Sequence, residues 1–301
     1  MKSDLISFAL WTDADIDGVF TLSQRIKQGD LKNSPLLARR TVALIFERKS
    51  LRTRVSFEVG ATQLGAHTVF LDNERIGLST RESVHDVAVT LSGYCDLIVA
   101  RTVNHQTLVQ LAESARIPVI NAMTDLLHPC QAIADVATLK EHNLFNPATT
   151  IVFVGDGNNM ANSWLELTEK LDFHLILSCP QGYEPHPQIF EQAQTKARGS
   201  VRLIHDPHEA VAEADVLYTD VWPGGSGGST RLAHLFRPYQ VNADLLGRAR
   251  PEAVVMHRLP ANRGEEITSD ILDSPRCLAM AQAENRLHVQ KGIMTFLLRG
   301  N

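Results

Sequence analysis

Cysteine is scarce: four residues in 301, Cys95, Cys130, Cys179 and Cys277, stand far apart, with no Cys-x-x-Cys pair and no Cys/His cluster at zinc spacing. A disulfide framework or a structural zinc is therefore not expected. No apolar run approaches the roughly 18 residues that a membrane span needs. The opening residues, Met1 to Leu5, lack the basic-then-apolar plan of a secretion signal, so the expectation is a cytosolic protein without a membrane segment. Positive charge is not in excess: 29 Lys and Arg against 34 Asp and Glu give 29 − 34 = −5, which speaks against a general nucleic-acid binder. No repeat with a period of about 20 to 50 residues is visible, which excludes a solenoid. What is present is an ordinary globular composition, 44% apolar and 21% charged, which excludes a disordered or fibrous chain.

Short β-branched apolar runs alternate with longer stretches of helical period, the pattern of α/β layering with a mostly parallel sheet. Strands are predicted at 42–46, 68–71, 97–100, 119–120, 150–154, 174–177, 201–203, 216–218 and 253–256. Helices are predicted at 55–64, 84–94, 106–114, 130–142 and 161–171. Turn chemistry at 143–147 ends the fourth of these and predicts a domain boundary. The fold class is α/β with two doubly wound domains. The first takes 1–145 and is joined by a returning C-terminal helix within 283–301; the second takes 146–282. The glycine-rich patch 223–230 reads as a mobile surface loop, and in an α/β enzyme such a loop is often a lid.

Several stretches carry polar chemistry at strand-to-helix turns. After the first strand, Ser50, Arg52, Thr53 and Arg54 fall at or near a helix N-terminus, where free N–H groups, hydroxyls and guanidinium forks suit a phosphate. A Ser/Thr cap followed by solvated arginines is the competing reading. No Walker loop is present, so a nucleotide triphosphate is not implied. His128-Pro129-Cys130-Gln131 combines a carbonyl donor with an amide partner, or is simply a proline-led helix start. Cys130 lacks an evident basic partner and reads as a packing residue rather than a nucleophile. Gly155-Asp156-Gly157-Asn158-Asn159 opens like a dinucleotide fingerprint, but Met160 stands at the third glycine and no acid ends the next strand. Asn158 and Asn159 then suit a carboxylate, or form an Asx turn. Asp220-Val221-Trp222 and His257-Arg258-Leu259-Pro260 end two further strands, where open α/β sheets bind ligands. His257 by itself reads as a structural, hydrogen-bonded histidine.

Taken in order, Ser50 to Arg54, Ala100-Arg101, His128 to Gln131, Gly155 to Asn159, Asp220 to Trp222, His257 to Pro260 and Ala283 to Arg286 resemble the aspartate/ornithine carbamoyltransferase family over nearly the whole chain. The double asparagine and Asp220-Val221-Trp222 resemble the ornithine branch. The resemblance implies two α/β domains with a cleft, carbamoyl phosphate on the N-terminal one and the amino acceptor on the other. It implies that Ser50, the Leu51 N–H, Arg52, Thr53 and Arg286 hold the phosphate, and that Thr53, Arg101 and His128 bind the carbamoyl oxygen. Gln131 and the Leu259 carbonyl would receive the amide nitrogen, while Asn158, Asn159, Asp220 and Arg258 line the acceptor side. It also implies a homotrimer or a multiple of trimers in which a loop near 76–82, with Ser79 and Arg81, reaches across from a neighbouring copy. No metal or cofactor is implied, because carbamoyl phosphate is already activated.

Two departures from the family pattern fall in the acceptor half. Arg258 stands where the ornithine branch usually has cysteine, and Pro223-Gly224-Gly225 replaces a short Ser-Met-Gly segment. The expected reaction is carbamoyl transfer to the δ-amine of L-ornithine, giving L-citrulline and phosphate in arginine biosynthesis. A carbamoyltransferase for another amine or amino acid, and a catalytically silent anion-binding paralogue, are the alternatives.

Overall fold

The computed structural model describes residues 4–31, 35–72, 76–78, 80–224 and 234–299. The chain divides into two compact units, 1–134 with 284–301, and 135–283. By packing, the division falls inside the helix Pro129–Glu141 and again inside the helix Ala279–Arg299. Ser79 and most of the glycine-rich patch, 225–230, lie outside the described residues.

Unit 1 is built on four parallel strands, β1 (Thr41–Phe46), β2 (His67–Asp72), β3 (Leu97–Arg101) and β4 (Val119–Met123), in the order β2-β1-β3-β4. Its helices are α1 (Asp13–Gln28), α2 (Arg52–Gln63), α3 (Val84–Tyr94) and α4 (His105–Ser114), with the first turns of α5 (Pro129–Glu141). β1, β3 and β4 are buried almost throughout, which is why they read as continuous apolar runs rather than alternating ones. On one sheet face Ala43, Ile45, Ile98 and Ala100 pack with Val87, Leu91, Leu108 and Leu111.

Unit 2 holds β5 (Thr150–Val154), β6 (His174–Ser178), β7 (Ser200–Leu203), β8 (Val216–Thr219) and β9 (Val254–His257), all parallel, in the order β7-β6-β5-β8-β9. Around them stand α6 (Asn159–Thr168), α7 (Pro187–Lys196) and α8 (Ala243–Arg248). One face buries Val152, Val154, Leu217 and Val255 with Leu245 and Ile271. Elsewhere in the core Phe153 stacks on Tyr218 at 5.3 Å, and Trp164 meets both Tyr218 and Phe173 edge-on at 5.7 Å.

The C-terminal helix, α9 (Ala279–Arg299), starts in unit 2 and returns to unit 1. There it lies on α1 so closely that a Cβ on Gly292 would stand 2.2 Å from Ser23 Oγ and 3.0 Å from the Val19 carbonyl oxygen. Both sheets share one consequence of strand order. In unit 1 the chain leaves β1 toward β2 and returns on the other side as β3; in unit 2 it leaves β5 toward β6 and β7 and returns as β8. Such switch points open a crevice at the carboxyl ends of the two central strands. Among the described residues no helix is long and apolar enough to cross a membrane.

Candidate active site

The β1/β3 switch point of unit 1 gathers cations and hydroxyls. α2 starts at Arg52; its cap residue, Leu51, makes no side-chain cap, and the first turn has no acidic residue. The Ser/Thr cap that the sequence also allowed is thus not formed. Instead, Arg101 Nη1 donates to Ser50 Oγ at 3.1 Å and to Thr53 Oγ1 at 3.5 Å. Arg286 Nη2, brought from α9, donates to the same Thr53 Oγ1 at 2.7 Å. Arg101 is placed there because it ends β3 directly opposite Phe46, the end of β1. A hydroxyl oxygen that accepts from two guanidiniums keeps its own proton for a further acceptor. Positive charge at an uncapped helix start, at a buried threonine, favours an anion.

Arg54, grouped with these residues by sequence, is turned elsewhere. Its Nε donates to Glu58 at 3.2 Å and its guanidinium lies 3.5 Å from the centroid of the Phe70 ring. His128 and Gln131 are both buried at the start of α5, just past β4, with the His128 carbonyl accepting from Gln131 N and Ala132 N. Cys130 between them is a packing residue. Its thiol donates to the Asn121 carbonyl at 3.2 Å, and burial pushes its pKa up to about 12 against the opposing pull of Arg286. A thiol held protonated is not a nucleophile.

At the β5/β8 switch point of unit 2 the hub is Asp220, 1% exposed. Its Oδ2 accepts from Arg258 Nε at 2.6 Å and from Asn158 Nδ2 at 2.8 Å, and its Oδ1 from Val221 N at 2.8 Å. Burial works against the Arg258 charge, but Asp220 more than offsets this and raises its pKa. Asn158 is the N-cap of α6, its carbonyl oxygen accepting from Met160 N and Ala161 N. The Asx geometry considered from sequence is therefore present, and it fixes the amide that holds Asp220. Asn159 is the first, buried residue of α6. The glycines of this turn have separate reasons: a Cβ on Gly157 would run into the backbone of Glu184 and Pro185, and Gly155 has φ 122°, a conformation that side-chain-bearing residues rarely adopt.

His257 is structural, as its isolation in sequence suggested. Leu259 N donates to its Nδ1 at 2.9 Å, so Nε2 carries the proton and gives it to Glu266 at 3.1 Å. Leu259 is thereby held at φ 59°, an uncommon conformation for leucine. Three carboxylates were not singled out from sequence. Glu266 anchors His257; Asp156 sits in the Gly155–Asn159 turn; Asp135 accepts from Tyr218 Oη at 2.8 Å and from Gln282 Nε2 at 2.9 Å, while Gln282 Oε1 accepts from His257 N. The available signal for Asp135 was an acid among Ile133, Ala134, Val136 and Ala137, where burial demands partners.

Comparison with known proteins bears directly on this pair of switch-point clusters. The family model described as aspartate/ornithine carbamoyltransferase, carbamoyl-P binding domain, matches residues 3–141, and the Asp/Orn binding domain of the same family matches 148–297. The chain belongs to the aspartate/ornithine carbamoyltransferase family. An ornithine carbamoyltransferase of Chlorobaculum tepidum is 46% identical over 99% of this chain and 90% of its own length. An anabolic ornithine carbamoyltransferase of Pyrococcus furiosus is 41% identical over 99% and 95%. Among solved structures, ornithine carbamoyltransferase from Pyrococcus furiosus has a TM-score of 0.96 at 40% identity, covering 100% of this chain and 98% of that one. As a member of this family the chain shows one instructive feature: Arg286 lies within the stretch matched by the Asp/Orn binding model, yet α9 returns it to unit 1 and to Thr53.

Proposed function

We propose that this chain transfers the carbamoyl group of carbamoyl phosphate to the δ-amine of L-ornithine, giving L-citrulline and phosphate, as a step of arginine biosynthesis. The observation that carries the proposal is the convergence of Arg101 and Arg286 on the Thr53 hydroxyl at the uncapped start of α2. It is supported by the full-length likeness to proteins named ornithine carbamoyltransferase.

In this scheme Ser50, the Leu51 N–H, Arg52, Thr53 and Arg286 hold the phosphate. Thr53, Arg101 and His128 polarise the carbamoyl oxygen, and Gln131 with the Leu259 carbonyl orients the amide nitrogen. Asn159 and Asp220, with Asn158 and Arg258 beside them, serve the acceptor. The neutral δ-amine adds its lone pair to the carbonyl carbon, and the C=O pair moves onto oxygen. That oxyanion meets preorganised donors, an effect worth about 3 to 4 kcal/mol per donor in other enzymes. Collapse breaks the C–O bond to phosphate as the nitrogen loses a proton. The working assembly we assign is a homotrimer or a multiple of trimers in the cytosol, with Arg81 and its neighbours in 76–82 serving an adjacent copy; the resemblance to the family supports this assembly.

A second acceptor has one observation in its favour, the 2.6 Å contact between Arg258 and Asp220, which occupies a carboxylate suited to an ammonium. The test is phosphate release from carbamoyl phosphate across a panel of amines and amino acids. Release stimulated most by ornithine is expected; release with none would leave an anion-binding paralogue.

A further inference from the structure

Leu259 is held by its side chain and its N–H, and its carbonyl is left over. The side chain packs on the core face that includes Val154 and Val255, and the N–H donates to His257 Nδ1 at 2.9 Å. Among the described residues the carbonyl accepts no hydrogen bond. The φ of 59° is uncommon for leucine, and such a conformation persists only where its surroundings impose it.

What imposes it is a chain of contacts that ends on Glu266. His257 Nδ1 can accept from Leu259 N only if the ring proton is on Nε2, and the partner of Nε2 decides which nitrogen carries it. That partner is Glu266 Oε1, 3.1 Å away, and the same oxygen accepts from Asn262 N. One carboxylate atom thus closes both ends of the segment 257–262, with Leu259 inside it. Glu266 is itself fixed, since its carbonyl accepts from Val241 N at 2.9 Å and Gln240 Nε2 donates to the Gly264 and Glu265 carbonyls just before it. From the other side Gln282 Oε1 accepts from His257 N. His257 and Glu266 are both 0% exposed, and Glu266 Oε2 has no partner among the described residues. A carboxylate buried with one oxygen unpaired is costly as packing, so its use here calls for a further reason.

We infer that Glu266 is a positioning residue: by fixing the His257 tautomer it keeps Leu259 in the conformation that leaves its carbonyl free for the carbamoyl nitrogen. Neither Glu266 nor His257 touches the substrate in this scheme. The inference rests on the reaction proposed above, in which the Leu259 carbonyl accepts from that nitrogen. Its consequence is selective, because a carbonyl acceptor distinguishes an N–H donor from a methyl group of similar size.

The experiment compares the unmodified chain with E266M, E266Q, H257N and H257Q. It measures kcat/KM for carbamoyl phosphate in citrulline formation, and the Ki of acetyl phosphate, which keeps the phosphate and the carbonyl but has a methyl in place of the amide. In E266Q an amide oxygen can still accept from Nε2 and from Asn262 N. In H257N the side-chain oxygen can stand where Nδ1 stood, whereas H257Q reaches toward Glu266 and leaves the Leu259 N–H without its acceptor. E266M and H257Q should therefore lower kcat/KM for carbamoyl phosphate by about tenfold, the upper worth of an ordinary hydrogen bond, with the acetyl phosphate Ki within about twofold. E266Q and H257N should stay within about threefold of the unmodified chain on both readouts. A merely structural role would move both ligands together. Nitrogen NMR of the labelled imidazole should show His257 protonated at Nε2 in the unmodified chain and in E266Q, with that preference lost in E266M. Equal losses for carbamoyl and acetyl phosphate, equal values for H257N and H257Q, or a ring protonated at Nδ1 in the unmodified chain overturns the inference; the histidine pair decides where E266M fails to fold. Absence of citrulline with the unmodified chain overturns the underlying reaction instead, and the tautomer is then still read by NMR, so the two failures are told apart.

Discussion

Arg52 tests the anion nest side chain by side chain. Removing one charge-assisted partner of a phosphate costs at least about 2 kcal/mol. Arg52→Ala should weaken carbamoyl phosphate binding by that amount in calorimetry, and unchanged affinity would remove the assignment. Cys130 gives the opposite expectation. Its buried thiol donates to the Asn121 carbonyl with a pKa near 12, so Cys130→Ser, which keeps a donor there, should retain turnover within about threefold. Abolished turnover in a folded variant would bring the thiol into the chemistry. Asp156 has a consequence for stability too. Burial, and then the Asp220 charge, raise its pKa in the folded chain to about 7, above the ordinary carboxylate range, so the folded state binds the proton more tightly than the unfolded one. Stability from this group is therefore full at low pH and is lost as the pH rises through about 7. D156N should gain in Tm relative to the unmodified chain at pH 8, with the gap narrowing toward pH 4. A gap independent of pH would contradict the raised pKa.

Elements were legible where a single physical signal decided them. β5 was read at its observed limits, 150–154, because a strand buried on both faces is an uninterrupted apolar run. α3 was read at its limits, 84–94, with Ser83 capping it through Asp86 N. α1 went unread although Thr12 and Asp15 form a capping box; that signal is local and needs the apolar face of Ile16, Val19 and Leu22 to give it weight. The site residues were legible as types at strand ends, but their partners were not. No spacing rule tells that Arg286 meets Thr53 across 233 positions, or that Arg54 would stack on Phe70 while Arg101 turns to Ser50. In unit 1 α9 lies against α1 at several points: Lys27 donates to Asn285, Gly18 faces the Phe296 ring, and Gly292 makes the tightest approach. Gly292→Ala places a Cβ against Ser23 Oγ and the Val19 carbonyl. Overpacking of this kind costs about 1 to 3 kcal/mol, against a helix-propensity gain of about 1. A net fall in Tm is expected by calorimetry, partly recovered by Ser23→Ala; a rise in Tm would show that the two helices can separate at no cost.

Across the whole molecule, the two units repeat one device: a parallel sheet whose strand order reverses, with a polar turn and a strand-end side chain meeting where it does. In unit 1 that device collects cations; in unit 2 it collects carboxylates and amides, with Arg258 added. This division of charge is what an anionic donor and a cationic acceptor require. The departure at Arg258 sets the main energetic conflict, since its ion pair with Asp220 must be weighed against the acceptor's own ammonium. Releasing that carboxylate in Arg258→Cys should lower the ornithine KM. The most direct measurement is citrulline formed by the unmodified full chain from carbamoyl phosphate and L-ornithine, quantified against the phosphate released. The account predicts citrulline in one-to-one yield with phosphate, and an ornithine KM lowered in Arg258→Cys. No citrulline from ornithine, with carbamoylation of a different amine, would contradict it.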